Sequence, residues 1–336
     1  MRASHRKHSA MVGCTGALFL IAYLVNASWL AKPARTRTVW LAHRGVHQTY
    51  SRAGLTKETC TAVRIEPPRH DTIENTLASV RAAFDYGADV VEIDEHPTTD
   101  GHFAVFHDWA LDCRTDGHGV TRDQTMSYLK SLDVGYGYTA DGGVTFPLRG
   151  KGVGLMPSLA EVLDAFPGRR FLVNIKSNDE SEAEKLARFL RNRPKQELET
   201  MAFYGAERPV KRLLGLVPEV RGFTRTSVKS CLARYIAYGW TGLMPAVCRH
   251  AIQVIPSNYT GYLWGWPHRF FSRMAAADSE FFMVGAGNPD DNGLSGIDSP
   301  GDLAALGESF EGGIWTNRIE LLGPMASVGS SSRVRE

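Results

Sequence analysis

The chain has 336 residues, a formal net charge of +2, 22% charged residues and 43% hydrophobic ones. This composition excludes a disordered chain, and the length suits one large α/β domain or two ordinary ones. Much of the positive excess sits in the N-terminal tail, so no basic face is implied and nucleic acid is not a favoured partner.

The chain begins with a basic cluster, "MRASHRKHSA", then the apolar run "MVGCTGALFLIAYLVNASWLA", then the basic "KPARTR". An apolar run of roughly 20 residues is long enough to cross a bilayer. The same pattern suits a signal peptide with a small-residue cleavage site at Val25-Asn26-Ala27. Residues 1–36 are therefore expected to be a basic tail with a membrane anchor or signal segment. Either role places the remainder outside the cytosol, membrane-anchored or exported, and the leading bases favour an inside N-terminus.

From Thr38 onward, short apolar runs alternate with amphipathic stretches. Strands are expected at 39–44, 88–94, 103–107, 170–176, 201–206, 219–224, 280–286 and 312–318. Helical spacing fills much of the intervening sequence: "IENTLASVRAAFDYG" ends at Gly87, and "MPSLAEVLDAFPG" starts at a Ser158 cap with Glu161 three residues on. Alternation of this kind implies a parallel sheet, and about eight strands imply an α/β fold closed as a (β/α)8 TIM barrel over residues 37–325. An open doubly wound sheet is the alternative, but no Gly-x-Gly-x-x-Gly follows the first strand. The piece between Gly45 and Ile73 reads as a long loop, residues 245–270 read as irregular, and the tail 326–336 reads as disordered.

Five cysteines are present. Cys14 lies in the apolar segment, leaving Cys60, Cys113, Cys231 and Cys248 as disulfide candidates in an exported domain. Three connectivities are possible. Cys60–Cys113 and Cys231–Cys248 are expected, as the pairs closest together in the proposed fold.

The chemistry gathers at strand ends. Glu92 and Asp94 stand two apart and share one strand face, pointed at the barrel mouth. Two carboxylates that close repel, and a divalent cation relieves the cost; oxygen ligands favour Ca²⁺ or Mg²⁺. The alternative is a pair of surface acids or ion-pair partners. Other strands end in His43-Arg44-Gly45, His107-Asp108 and Asn174-Ile175-Lys176. Paired imidazoles can move protons, and Arg and Lys can hold phosphate, so the set fits phosphoester cleavage.

At these residues the sequence resembles the glycerophosphodiester phosphodiesterase family. The resemblance runs through "AHRG" (42–45), "ENT" (74–76), "GADVVEIDEHPTTDGHFAVFHD" (87–108) and "LDCRTDGHG" (111–119) as far as Lys176. It returns at "GGIWTNRIE". It implies a barrel hydrolase acting on a small-molecule or lipid-derived phosphodiester with a divalent cation. It further implies His43 and His107 as the acid/base pair, Glu92 and Asp94 as metal ligands, and Arg44 and Lys176 as phosphate contacts. Glu74 and Asn75 would orient His43 or Arg44, with helix capping as their alternative. Two departures stand out. Asn174 replaces a third metal carboxylate, so it would ligate through its amide oxygen and hold the cation more weakly. The loop after His-Arg-Gly is also unusually long. Phospholipase D-like cleavage of (lyso)phospholipids and a catalytically silent phosphodiester-binding barrel are the other readings. His47, His70, His96, His102 and His118 are expected to be surface or loop residues.

Overall fold

The computed structural model describes residues 16–17, 19–31, 38–56, 59–287, 295–307 and 310–332, with side chains through residue 325 in the last helix. The barrel strands are β1 (Val39–Ala42), β2 (Val90–Pro97), β4 (Arg170–Ile175), β5 (Met201–Gly205), β6 (Arg221–Thr224), β7 (Ile252–Pro256), β8 (Glu280–Val284) and β9 (Gly313–Thr316). They are paired in parallel in the order β6-β5-β4-β2-β1-β9-β8-β7, and no ladder joins β6 to β7. The result is a nearly closed eight-stranded parallel barrel.

The expected number of strands is correct, but one of its members is not. Phe103–Val105 forms β3, which pairs antiparallel with the far end of β2 and stands off the barrel path. The Thr98–His102 turn makes this hairpin, with Thr98 Oγ1 donating to Asp100 Oδ1 at 2.6 Å and Gly101 at φ +85°. The eighth barrel strand is instead β7, inside the stretch read as irregular. Its five residues enclose a polar Gln253 and end in Pro256, so they lack the apolar run that marks the other strands.

The outer helices include α1 (Leu77–Asp85), α2 (Leu159–Ala165), α3 (Ser181–Leu190), α4 (Glu207–Leu216), α5 (Arg225–Tyr238), α6 (His268–Ala276), α7 (Pro300–Ala305) and α8 (Ile319–Ser332). Ser158 and Glu161 form the expected capping box on α2. The main core lies between strands and helices, and a second cluster fills the barrel interior around Leu41, Phe282 and Trp315. The closing helix reaches Ser332, so residues 326–332 are helical where disorder was expected; residues 333–336 lie outside the described residues. At the start of α8, Ile319 and Leu322 are fully buried.

Both expected disulfides are present, Cys60–Cys113 and Cys231–Cys248. The first ties the 45–72 loop to the segment after β3. The second ties α5 to the approach to β7. Near the N-terminus, Arg273 on α6 donates to Asn26 Oδ1 at 3.0 Å and to the Val25 carbonyl at 2.9 Å, docking this segment on the barrel wall. Among the described residues no helix is long and apolar enough to cross a membrane. Residues 1–15, 18 and 32–37, which carry much of the anchor or signal reading, lie outside the described residues.

Replacing Cys231 and Cys248 by Ser removes a link across 17 residues far from the strand ends discussed next. A loss of about 3 kcal/mol is expected from the closed-loop entropy, measured as a lower denaturation midpoint in urea.

Candidate active site

The site is built where β1, β2, β4 and β5 end. In-register pairing aligns Asp94 with Asn174 and Asn174 with Tyr204, one row across three adjacent strands. Glu92 lies one pleat below Asp94 on the same face, and both carboxylates are fully buried. Asp94 accepts from Asn75 Nδ2 at 3.0 Å and from Asn174 Nδ2 at 2.9 Å. Lys176 Nζ stands 3.3 Å from one Asp94 oxygen, and Arg44 Nε 3.4 Å from the other. Burial raises the Asp94 carboxyl, but Lys176, His107 and Arg44 more than offset it and hold it well below its ordinary value. Glu92 receives the Tyr204 hydroxyl at 2.7 Å and the Arg44 backbone N–H at 3.0 Å. These are not enough: burial and the neighbouring Asp94 push Glu92 up to about 8. Of the two acids, Asp94 is the charged one at neutral pH.

The turn after β1 presents His43 and Arg44. Arg44 has a left-handed backbone (φ 56°), and Gly45 follows at φ 72°. A Cβ on Gly45 would lie 2.3 Å from Ser79 Oγ, so the sharp turn against α1 requires glycine. Asn317 Oδ1 stands 2.7 Å from His43 Nδ1, and Asp298 accepts from Asn317 Nδ2 at 2.8 Å. This chain orients the amide with its oxygen toward His43. Nδ1 then carries the ring hydrogen, and Nε2 faces Glu92 at 3.7 Å. Burial and Arg44 hold the His43 imidazole well below its usual range.

His107 follows β3. Its Nδ1 lies 2.6 Å from Asp108 Oδ1, and Asp108 Oδ2 pairs with Arg114 Nε at 2.8 Å. Burial, Arg44 and Lys176 lower the imidazole to about 4, although Asp94 and Asp108 pull the other way. Arg114 also donates to Glu74 at 3.1 Å and to the Tyr138 hydroxyl at 2.8 Å. Glu74 accepts from Arg44 Nη1 through its other oxygen at 3.1 Å. Burial raises the Glu74 carboxyl, while Arg114 and Arg44 bring it below its ordinary value. Thr76 is the cap of α1, accepting from Ser79 N, which leaves Glu74 and Asn75 in the turn before it and turned toward the site.

All the named residues therefore converge: His43, Arg44, Glu74, Asn75, Glu92, Asp94, His107, Asn174 and Lys176. The reading of the sequence did not single out Tyr204, Arg114, Asp108 as a partner of His107, Tyr138 or Asn317. Tyr204 had one legible signal, its place at the end of a strand. Two of the histidines expected to be surface or loop residues are buried: His47 within the loop after β1, and His96 on β2. His47 packs edge-on to His43 at 6.1 Å between ring centroids, and His96 lies against Trp109.

A cation would be held by Glu92, Asp94 and the Asn174 amide oxygen. The observation favouring it is geometric: Glu92 and Asp94 share one buried strand face, and Asn174 stands in register beside Asp94. Against a tight site, Asn174 turns its Nδ2 toward Asp94. No cluster of three or more His, Cys, Asp or Glu suited to a metal occurs among the described residues. The donor set fits a hard cation held by two carboxylates.

Comparison with known proteins agrees with this geometry. Residues 43–202 match the Glycerophosphoryl diester phosphodiesterase family. A glycerophosphodiester phosphodiesterase of Caldanaerobacter subterraneus subsp. tengcongensis is 37% identical over 103 residues, 31% of this chain and 39% of that protein. One of Bacillus subtilis is 36% identical over 110 residues, 32% of this chain and 36% of that protein. The matched stretch thus spans under two fifths of these relatives' lengths. Among solved structures, a glycerophosphodiester phosphodiesterase from Agrobacterium tumefaciens shares the fold with a TM-score of 0.55 at 20% identity, over 85% of this chain and 99% of that one. An Oleispira antarctica phosphodiesterase in complex with the product sn-glycerol-3-phosphate has a TM-score of 0.53 at 18% identity, over 86% and 97%.

Replacing Glu74 with Gln leaves Arg44 and Arg114 short of a buried counter-charge and is expected to cost about 3 kcal/mol in thermal denaturation. Because the folded Glu74 carboxyl sits below its ordinary value, its contribution is present above the unfolded value and is lost as pH falls through the folded one. The variant's stability should therefore fall less steeply on acidification than the wild type's.

Proposed function

We propose that this chain, whose residues 43–202 match the glycerophosphoryl diester phosphodiesterase family, hydrolyses glycerophosphodiesters to glycerol phosphate and an alcohol. The observation that carries the proposal is the convergence of two oriented imidazoles, two cationic side chains and a buried acid pair at one barrel mouth. Arg44 and Lys176 attract the phosphoryl oxygens and help to hold the diester over Asp94. His43 and His107 each have Nδ1 tied down, so each offers Nε2 for proton transfer. One takes the proton of the attacking hydroxyl, the other gives a proton to the leaving alkoxide, and the roles reverse in the second half. Both rings are held below their usual range, which keeps the one that begins as base neutral and able to accept; the one that begins as acid must carry a proton on Nε2 to give to the leaving alkoxide. Asp108 favours the imidazolium that forms on His107. Asn317, a neutral acceptor, gives His43 the weaker support. A divalent cation, Ca²⁺ or Mg²⁺, would neutralise the acid pair and withdraw charge from a phosphoryl oxygen when bound.

The N-terminal segment supports a further proposal, that the chain is membrane-anchored or exported with its barrel outside the cytoplasm. Its basis is the apolar run behind a basic cluster.

His107→Ala should lower kcat by roughly 100-fold or more with the circular dichroism spectrum unchanged. A variant with wild-type turnover would remove His107 from the acid/base pair. Asn174→Glu adds a carboxylate to the acid pair and should tighten cation binding, read by calorimetry with Mg²⁺ or Ca²⁺ alone. An unchanged affinity would take position 174 out of the cation site.

A further inference from the structure

Beside His43 the mouth carries a concavity that the chemistry above does not use. A half-open cleft of about 140 Å³ lies between the 45–72 loop and the turns after β8 and β9, walled in part by His47, Tyr50, Arg52, Glu66, Asn317 and Arg318. All of these walls come from segments that follow strands, so the cleft opens at the same end of the barrel as the acid pair. Asn317 is common to both, since it holds His43 Nδ1 at 2.7 Å. The Cys60–Cys113 disulfide keeps the loop in place.

His47 is the unusual group in this wall. Only 2% of its surface is exposed. Its Nδ1 lies 2.9 Å from the Gln48 carbonyl oxygen, which can only accept, so Nδ1 carries the ring hydrogen. Nε2 is then a lone pair, and it is buried without a hydrogen-bond partner. An unpaired buried acceptor is costly, and a ligand hydroxyl would relieve it. Burial also holds the His47 imidazole below its ordinary value, which keeps that lone pair free of a proton. Neighbouring acids are already engaged. Glu66 accepts from Thr49 Oγ1 at 2.8 Å, and Asp298 from the Asn317 backbone at 2.7 Å. A hydroxyl-rich ligand suits such a wall, donating to Nε2 and accepting from guanidinium N–H groups. A quaternary ammonium group has neither a donor nor an acceptor and would face Arg52 and Arg318.

We propose that this cleft is the subsite for the alcohol portion of the diester, that the alcohol is a polyol, and that His47 Nε2 accepts one of its hydroxyl hydrogens. The inference rests on the phosphodiesterase reading, because the adjacency of His43 is what makes the cleft a place for substrate. The test is steady-state kinetics of the full chain with glycerophosphoinositol, glycerophosphocholine and bis(4-nitrophenyl) phosphate. The wild type should prefer the inositol diester. His47→Ala should lower the ratio of kcat/KM for the inositol diester to that for the choline diester by roughly 10-fold, mainly through KM. His47→Gln, which restores an acceptor, should recover part of the ratio. An unchanged ratio in His47→Ala overturns the proposal, whether both activities fall together or neither falls. If the wild type cleaves none of the three diesters, the phosphodiesterase reading fails first. Calorimetry with glycerophosphoinositol then decides the cleft: roughly 10-fold weaker binding to His47→Ala supports it, and equal or absent binding to both proteins overturns it.

Discussion

Much of the site depends on one buried carboxylate. Asp94 is fully buried and meets four donors: Asn75, Asn174, Lys176 and Arg44. A bare carboxylate at that depth would protonate, and these groups keep it charged. The same arrangement fixes the others. Lys176 and Asn174 are held at the end of β4, Asn75 is held before α1, and Arg44 is drawn inward from the turn after β1. The cost appears at Glu92, whose carboxyl is pushed up by burial and by the charge on Asp94.

A second layer couples this centre to the outer loops. Glu74 bridges Arg44 and Arg114, and Arg114 continues to Asp108 and thence to His107. Arg114 also donates to Thr61 Oγ1 at 2.6 Å, next to the Cys60–Cys113 link. The long loop, the segment after β3 and the imidazole of His107 are thus one connected structure.

The sequence carried the inner part of this site in readable form. Glu92 and Asp94 follow from strand alternation. Gly45 stands where only glycine fits against Ser79, and Lys176 ends a plain apolar strand. What was not readable depends on tertiary approach. Tyr204 reaches Glu92 across two strands, 112 residues away in sequence, and Asn317 reaches His43 across 274. Nothing local to "MAFYGA" or "WTNR" announces either contact. His47 and His96 read as loop or surface residues because a lone histidine has no periodicity, and only packing buries them. The strand β7 was hidden for a different reason. It is short and carries Gln253 between apolar neighbours, while "FAVF" has the stronger pattern and yet pairs outside the barrel.

The central claim, that this mouth cleaves a glycerophosphodiester, is tested most directly by phosphorus NMR. The full chain would be incubated with a mixture of glycerophosphodiesters in Mg²⁺ or Ca²⁺, and in parallel with EDTA. The account predicts that diester resonances give way to a glycerol phosphate monoester resonance in the cation samples, with EDTA slowing the change. Unchanged diester resonances in every sample, from protein shown to be folded, would contradict it.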